Sequence, residues 1–135
     1  MSSTILRAGI IGSGFAAKFH YEALRRIYST PVEIAGAYST NPARVNEFAG
    51  PRNLKAFQDL EQLIEASDML HICTPPSTHE DLVIKVLEKN KSVIVEKPFT
   101  GYFGDGTEAF SGDTFPRQEG LTAALKSIER MLAAE

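Results

Sequence analysis

The sequence predicts an α/β fold, a doubly wound sheet of parallel strands with helices on both faces, and three observations predict it. Short apolar runs alternate with segments whose apolar residues recur at helical spacing. The first such run feeds directly into a G-x-G-x-x-A turn. Later runs stop at polar, proline-bearing junctions, so that chemically capable residues collect at the carboxyl ends of strands. In open parallel sheets that edge is where ligands bind.

A length of 135 residues allows one domain with a real core and is too short for two ordinary ones. Apolar residues make up 43% and charged residues 23%, with a net charge of −3. This is the balance of a soluble globular protein, and it offers no basic excess to hold a polyanion, which argues against nucleic acid as a partner. No apolar run approaches the ~20 residues a membrane span requires, and the opening Met1-Ser2-Ser3-Thr4 reads as neither export signal nor anchor. Single Cys73 lies within an apolar run and has no partner for an internal disulfide. It reads as a buried, inert thiol in a reducing compartment, and the expected location is the cytoplasm.

The chain is organised around Ala8 to Ala17, read as strand, tight turn and helix. Gly12 permits the sharp turn, Gly14 leaves no side chain between backbone and a pyrophosphate, and Ala17 lets the helix pack closely on the strand. The helix start directs free backbone N–H groups at the phosphates, an attraction of roughly 0.3–1 kcal/mol. Gly12, Ser13, Gly14, Phe15 and Ala16 are therefore expected to hold a dinucleotide; the alternative is an ordinary tight turn of small residues. Ala16, His20, Ala23, Leu24 and Ile27 then form one inward stripe that ends before Ser29-Thr30-Pro31. His20, on that stripe, is read as a core histidine bonded to nearby backbone in preference to a catalytic one.

Val32 to Tyr38 is the second strand, and Asn41-Pro42 opens a helix that Gly50-Pro51 stops. A carboxylate at the end of this strand would bond the ribose 2′-hydroxyl of NAD and repel a 2′-phosphate. Ser39-Thr40-Asn41 supplies none, and with Arg44 one turn onward these residues could accept the phosphate, which places NADP slightly ahead of NAD. The alternative is that they only cap the helix.

Leu54 to Phe57 is a short strand, and Asp59 with Gln62 makes a capping box for a brief helix to Ala66. Met69 to Cys73 is a buried strand interrupted in character only by His71, and it ends at Thr74-Pro75-Pro76. Ser77 to Glu80 forms a second capping box. His79 is then expected to project from the first turn toward the ligand edge, where it meets either ligand or solvent. The helix runs through Leu82, Val83, Val86 and Leu87 and can stop with Asn90 in a left-handed conformation. Ser92 to Val95 is the next strand and delivers Glu96-Lys97-Pro98 to the same edge. Given partial desolvation of Lys97, the charged pair could position a substrate hydroxyl and exchange its proton; otherwise it is a solvated strand end.

Taken together, Gly12-Ser13-Gly14-Phe15-Ala16-Ala17 with His20, Thr74-Pro75-Pro76 with His79, and Glu96-Lys97-Pro98 resemble the Gfo/Idh/MocA family of NAD(P)-dependent oxidoreductases. The match covers about residues 5 to 100, the amino-terminal Rossmann domain of chains that usually carry a second α/β domain. The resemblance implies that Lys97 contacts the substrate hydroxyl beside the nicotinamide and that Glu96 helps set the lysine. It further implies that Thr74, Pro75, Pro76, Ser77 and His79 flank the cofactor, and that the bond before Pro98 is cis. A catalytic histidine and a nearby aspartate would come from the second domain, which this sequence lacks.

The whole chain, 1–135, is therefore read as one cofactor domain truncated before its last strand: a motif-bearing core to residue 100, a glycine- and aromatic-rich insertion over 101–120, and a terminal helix over 121–134. Leu121, Ala124, Leu125, Ile128 and Leu132 form the stripe of that helix. Asp105, Glu108 and Asp113 match no calcium-loop spacing, so no metal site is expected. The leading expectation is part of an oxidoreductase acting on a sugar, polyol or similar hydroxy compound, with NADP or NAD as cofactor and substrate bound only in a longer parent, so that this chain alone turns nothing over. Two other classes stand beside it: a non-catalytic NAD(P)-sensing module, and an inert fragment that self-associates, as a homo-oligomer, through an unpaired sheet edge.

Overall fold

The computed structural model describes residues 4–135; the expectations for Met1 to Ser3 lie outside them. Five parallel strands form one sheet in the order β3-β2-β1-β4-β5. They are β1 (Leu6–Ile11), β2 (Val32–Tyr38), β3 (Ala56–Phe57), β4 (Met69–Ile72) and β5 (Ser92–Val95). Among the described residues the α-helices are α1 (Phe15–Leu24), α2 (Pro42–Ala49), α3 (Leu60–Glu65), α4 (His79–Glu88) and α5 (Arg117–Ala133). The doubly wound expectation holds.

Strand alternation divides the core in two. On one face Ala8 and Ile10 pack with Ala17, Tyr21 and Leu24 of α1 and with Val45 and Phe48 of α2. On the other, Ile11, Leu70 and Ile72 pack with Leu63 and Ile64 of α3, Val83 and Val86 of α4, and Met131 of α5. The order reverses at β1, whose two neighbours lead away in opposite directions, and the crevice at that switch point opens at the carboxyl edge.

Most boundaries fall where local chemistry puts them. The Asn41 side chain accepts from the backbone N–H of Arg44, with Pro42 at the first helical position. Asp59 accepts from the N–H of Glu61, and Asn90 adopts the left-handed conformation. Three details differ. The stripe of α1 is Ala17, Tyr21 and Leu24, and the helix stops at Leu24, leaving Ala23 and Ile27 exposed. The buried side of α5 is Ser127 and Met131 beside Ile128, whereas Leu121, Leu125 and Leu132 are exposed. In both helices the apolar residues cover more than one face, so periodicity alone selects the wrong one. The capping box at Ser77 is also absent. Pro76 to Thr78 forms a 3-10 turn, α4 starts at His79, and Glu80 pairs instead with Arg130 of α5.

Residues 100–116 carry no helix or strand longer than a turn, yet Tyr102, Phe110 and Phe115 gather into one aromatic cluster with ring centroids 4.8–5.5 Å apart. Asp105 accepts from the backbone and hydroxyl of Thr107, a turn-closing role.

The contrast between the two leucine environments is directly testable. Leu63→Ala should cost about 2–5 kcal/mol in urea unfolding, because Leu63 is wholly buried, whereas Leu121→Ala, at 53% exposure, should change stability by no more than ~0.5 kcal/mol.

Candidate functional site

The turn after β1 is shaped by one residue. Gly12 has φ +112, its N–H donates to the Tyr38 carbonyl, and a Cβ there would stand 2.6 Å from the carbonyl oxygen of Cys73. No side chain is compatible with that approach. Gly14 follows as the residue before α1, and a Cβ built on it meets nothing within 4 Å. That open space is above the first turn of α1, whose backbone N–H groups lack helical partners and whose first turn carries no acidic side chain.

The space belongs to a cleft of about 760 Å³, within the size range of small-molecule sites. Gly12, Ser13 and Gly14 line it together with Ser39, Thr40, Asn41 and Arg44 from the end of β2, and Thr74, Pro75 and Ser77 from the turn after β4. Cys73, Thr78, Asp81 and Leu82 also line it, and the sequence reading singled out none of these four as ligand-facing. Three predicted groups from distant parts of the chain thus meet along one edge. Ser39 and Asn41 also have local roles, since Ser39 Oγ accepts from the Asn41 N–H while Asn41 caps α2. The donors and the open volume fit a dinucleotide: unpaired N–H groups for the pyrophosphate, and neutral polar groups with a guanidinium at the ribose corner.

The side chains of Phe15, Ala16, Glu96 and Lys97 lie elsewhere. They border a second groove, about 640 Å³, that runs down α1 between Phe19, Ala23 and Ile27 on one side and His71 on the other. His71 pairs with Ile94 in the β4–β5 register and with Ile10 in the β1–β4 register, which puts it on the α1 face of the sheet. There His20 Nδ1 lies 2.8 Å from His71 Nδ1, and His20 Nε2–H donates to Glu96 Oε1 at 2.9 Å. His20 is therefore bonded to two side chains, not to the backbone. The signal that could have found this chain of three was the period-two alternation of β4, which points His71 away from Leu70 and Ile72. Lys97 and Pro98 are exposed, so the desolvation that proton exchange by Lys97 requires is not met among the described residues.

His79 also departs from expectation. It is fully buried rather than projecting to ligand or solvent. Its Nδ1 faces the carbonyls of Pro98 and Phe99 at 3.0 and 3.2 Å, and its Nε2 faces that of Thr74 at 2.9 Å. The 3-10 turn at Pro76 moves His79 to the first position of α4, where its side chain points back under the loops and ties the Thr74 turn to the segment after β5. The Lys97–Pro98 bond is cis.

The electrostatics follow burial. Desolvation, reinforced by nearby His20, lowers the His71 pKa from 6.5 to about 4. Glu96 is held below the usual carboxylate range, chiefly by its hydrogen bond from His20. Burial and the adjacent Glu96 push the Cys73 thiol up to about 12.

A family model described as an oxidoreductase family with an NAD-binding Rossmann fold, Gfo/Idh/MocA, matches residues 6–111. Glucose-6-phosphate 3-dehydrogenase of Bacillus subtilis is 34% identical over 92 residues, which are 68% of this chain and 26% of that protein. Inositol 2-dehydrogenase 4 of Saccharopolyspora erythraea is 30% identical over 102 residues, 74% of this chain and 30% of its own length. Among solved structures, the WlbA dehydrogenase of Bordetella pertussis, in complex with NADH and UDP-GlcNAcA, superposes with a TM-score of 0.74. It covers 99% of this chain and 34% of that one at 20% identity, a likeness of fold. The chain spans between a quarter and a third of the length of the curated relatives it matches.

The His71 shift has a consequence for stability. An unfolded chain binds a proton at His71 near pH 6.5, while the native chain does so only near pH 4, so acidification across that interval favours unfolding. Stability should fall by up to ~3 kcal/mol between those limits on this account, the loss complete below the native value. Urea titrations from pH 7 to 4.5 should show that part of the slope vanish in His71→Phe.

Proposed function

We propose that this chain, which belongs to the Gfo/Idh/MocA oxidoreductase family with its NAD-binding Rossmann fold, is the dinucleotide-holding part of a dehydrogenase or reductase for a sugar, polyol or similar hydroxy compound. The observation that carries this reading is the empty space over Gly14. It sits where the first turn of α1, the end of β2 and the turn after β4 converge. The names of relatives, a phosphosugar dehydrogenase and an inositol dehydrogenase, support the substrate class.

On this reading Gly12, Ser13, Gly14, Phe15 and Ala16 hold the pyrophosphate through backbone N–H groups and the positive end of α1. Ser39, Thr40, Asn41 and Arg44 hold the adenosine ribose. The neutral polar residues there and the Arg44 guanidinium support a small preference for the 2′-phosphate of NADP. Thr74, Pro75, Pro76 and Ser77 wall the nicotinamide end. When bound, the dinucleotide would supply a hydride acceptor or donor. Lys97, at the end of β5, offers an ammonium to a substrate oxygen, while the preceding Glu96 carboxylate is bonded to His20; substrate would require a wall on the exposed side of Lys97. The single buried thiol supports a reducing compartment, and cytoplasm is the proposed location. No helix among the described residues is long and apolar enough to cross a membrane.

The expected result in calorimetry is binding of NADH or NADPH by the folded chain at millimolar concentration or better; binding of neither would refute the reading. Gly14→Val should abolish binding while leaving the urea midpoint nearly unchanged, because its side chain enters the space a pyrophosphate needs and its Cβ meets no protein atom within 4 Å.

The ribose corner has its own test. NADPH should bind more tightly than NADH by less than about tenfold, or ~1.4 kcal/mol. Ser39→Asp should invert the order by placing a carboxylate against the 2′-phosphate, and an unchanged ratio would mean that this corner does not contact the ribose.

A further inference from the structure

Glu96 and Lys97 are adjacent in sequence and their charges attract, yet the structure does not pair them. Among the described residues the Lys97 ammonium has no carboxylate within ion-pair distance, whereas Glu96 Oε1 accepts from His20 Nε2–H at 2.9 Å. His20 comes from the middle of α1, the helix whose first turn the proposed pyrophosphate site uses. It cannot rotate away freely, because its other ring nitrogen is 2.8 Å from Nδ1 of His71, which is 7% exposed and fixed in the sheet. The two imidazoles meet edge to face, with ring centroids 5.1 Å apart.

The donor order follows from this geometry. A carboxylate only accepts, so His20 Nε2 carries a proton. With His20 neutral, its Nδ1 accepts from Nδ1–H of His71, and His71 Nε2 is left as a bare acceptor. That atom is buried and has no partner among the described residues, in keeping with this assignment. A chain of three side chains therefore runs from the sheet to the strand end and terminates on the Glu96 carboxylate.

We infer that His20 is a positioning residue that holds the Glu96 carboxylate against α1, off the neighbouring ammonium, and so leaves Lys97 uncommitted for a ligand oxygen. This rests on the reading of Lys97 as substrate-facing. It assigns Glu96 the opposite part from directly setting the lysine, since the carboxylate is a ligand of His20 first. His71 acts one step further back, by fixing the ring that does the holding.

The test is the reactivity of Lys97 in the full chain, read by mass spectrometry after brief acylation with acetic anhydride, with exposed Lys126 as the reference in the same molecule. In His20→Phe the released Glu96 should pair with Lys97 and slow its acylation at least about threefold relative to Lys126, the scale of one exposed ion pair. His20→Gln, whose amide can still donate to Glu96, should return the rate to the wild-type value. Adding Glu96→Gln to His20→Phe should do the same by removing the competing charge, which a merely structural role for His20 would not predict. Glu96→Gln alone preserves shape and removes only the through-space attraction of an unpaired neighbour, so it should raise the Lys97 rate by less than about threefold. Acceleration of about threefold or more in that variant would overturn the inference by showing that Glu96 already occupies Lys97, and an unslowed His20→Phe would overturn it equally. NADH calorimetry on the same samples separates the two claims. Loss of binding in wild type with this labelling pattern intact defeats the dinucleotide reading alone, and retained binding without the pattern defeats only the positioning role.

Discussion

The approach of β1 to β4 at Gly12 is the constraint on which the rest of the edge depends. The Gly12 N–H is taken by the Tyr38 carbonyl of β2, and its Cα lies against the Cys73 carbonyl just beyond β4. One backbone position thereby ties the two strands that diverge from β1. With a side chain there the ends of β2 and β4 would have to separate, and the crevice between them would lose its floor. The positive φ and the contact distance make glycine a steric necessity at this position, independent of anything that binds nearby. Gly14 is a different case. A Cβ there would meet no protein atom within 4 Å, so packing within the chain does not call for glycine.

The carboxyl edge divides into two environments that α1 separates. On the side of β2 lies a broad cleft of backbone donors and hydroxyls with little fixed charge. On the side of β5 the polar groups are few and committed to one another, His71 to His20 and His20 to Glu96. Each fits its place. Donors that bind an anion must be free, whereas a carboxylate at the rim of an apolar groove needs a partner to offset its desolvation. The exposed Phe15 and Phe19, stacked edge to face at 4.7 Å, and Ile27 further down α1 give that groove an apolar wall that no described residue covers.

Local chemistry made most of the architecture readable in the sequence. Glycine and proline punctuation, the Asn41 and Asp59 caps and the alternation of apolar periods all act within a few residues, and they announced each strand and α-helix, though α5 begins at Arg117, inside the stretch read as an insertion. What was not readable depends on distance along the chain. The buried side of α5 is set by α4, and by the pairing of Arg130 with Glu80 fifty positions away. His79 looked free at a helix start because its partners, the carbonyls of Pro98 and Phe99, come from a segment about twenty residues later. His20 carried a stripe position and a place in the first motif, with no partner legible until the fold brought His71 and Glu96 to it. The three motifs at the carboxyl edge were legible individually; that α1 would stand between two of them was not.

Cys73 turns the first core into its own clock. The thiol is the sole one in the chain, 7% exposed, and burial with the neighbouring Glu96 keeps it protonated well into the alkaline range. The thiolate is what an alkylating reagent attacks, so that protonation holds back reaction in the native state even though Cys73 lines the cleft beside Gly12. Opening of the contact between α1 and the sheet restores the reactivity of an ordinary thiol. An occupant of the cleft would lengthen the interval between openings. The single thiol thus reports how often that contact opens.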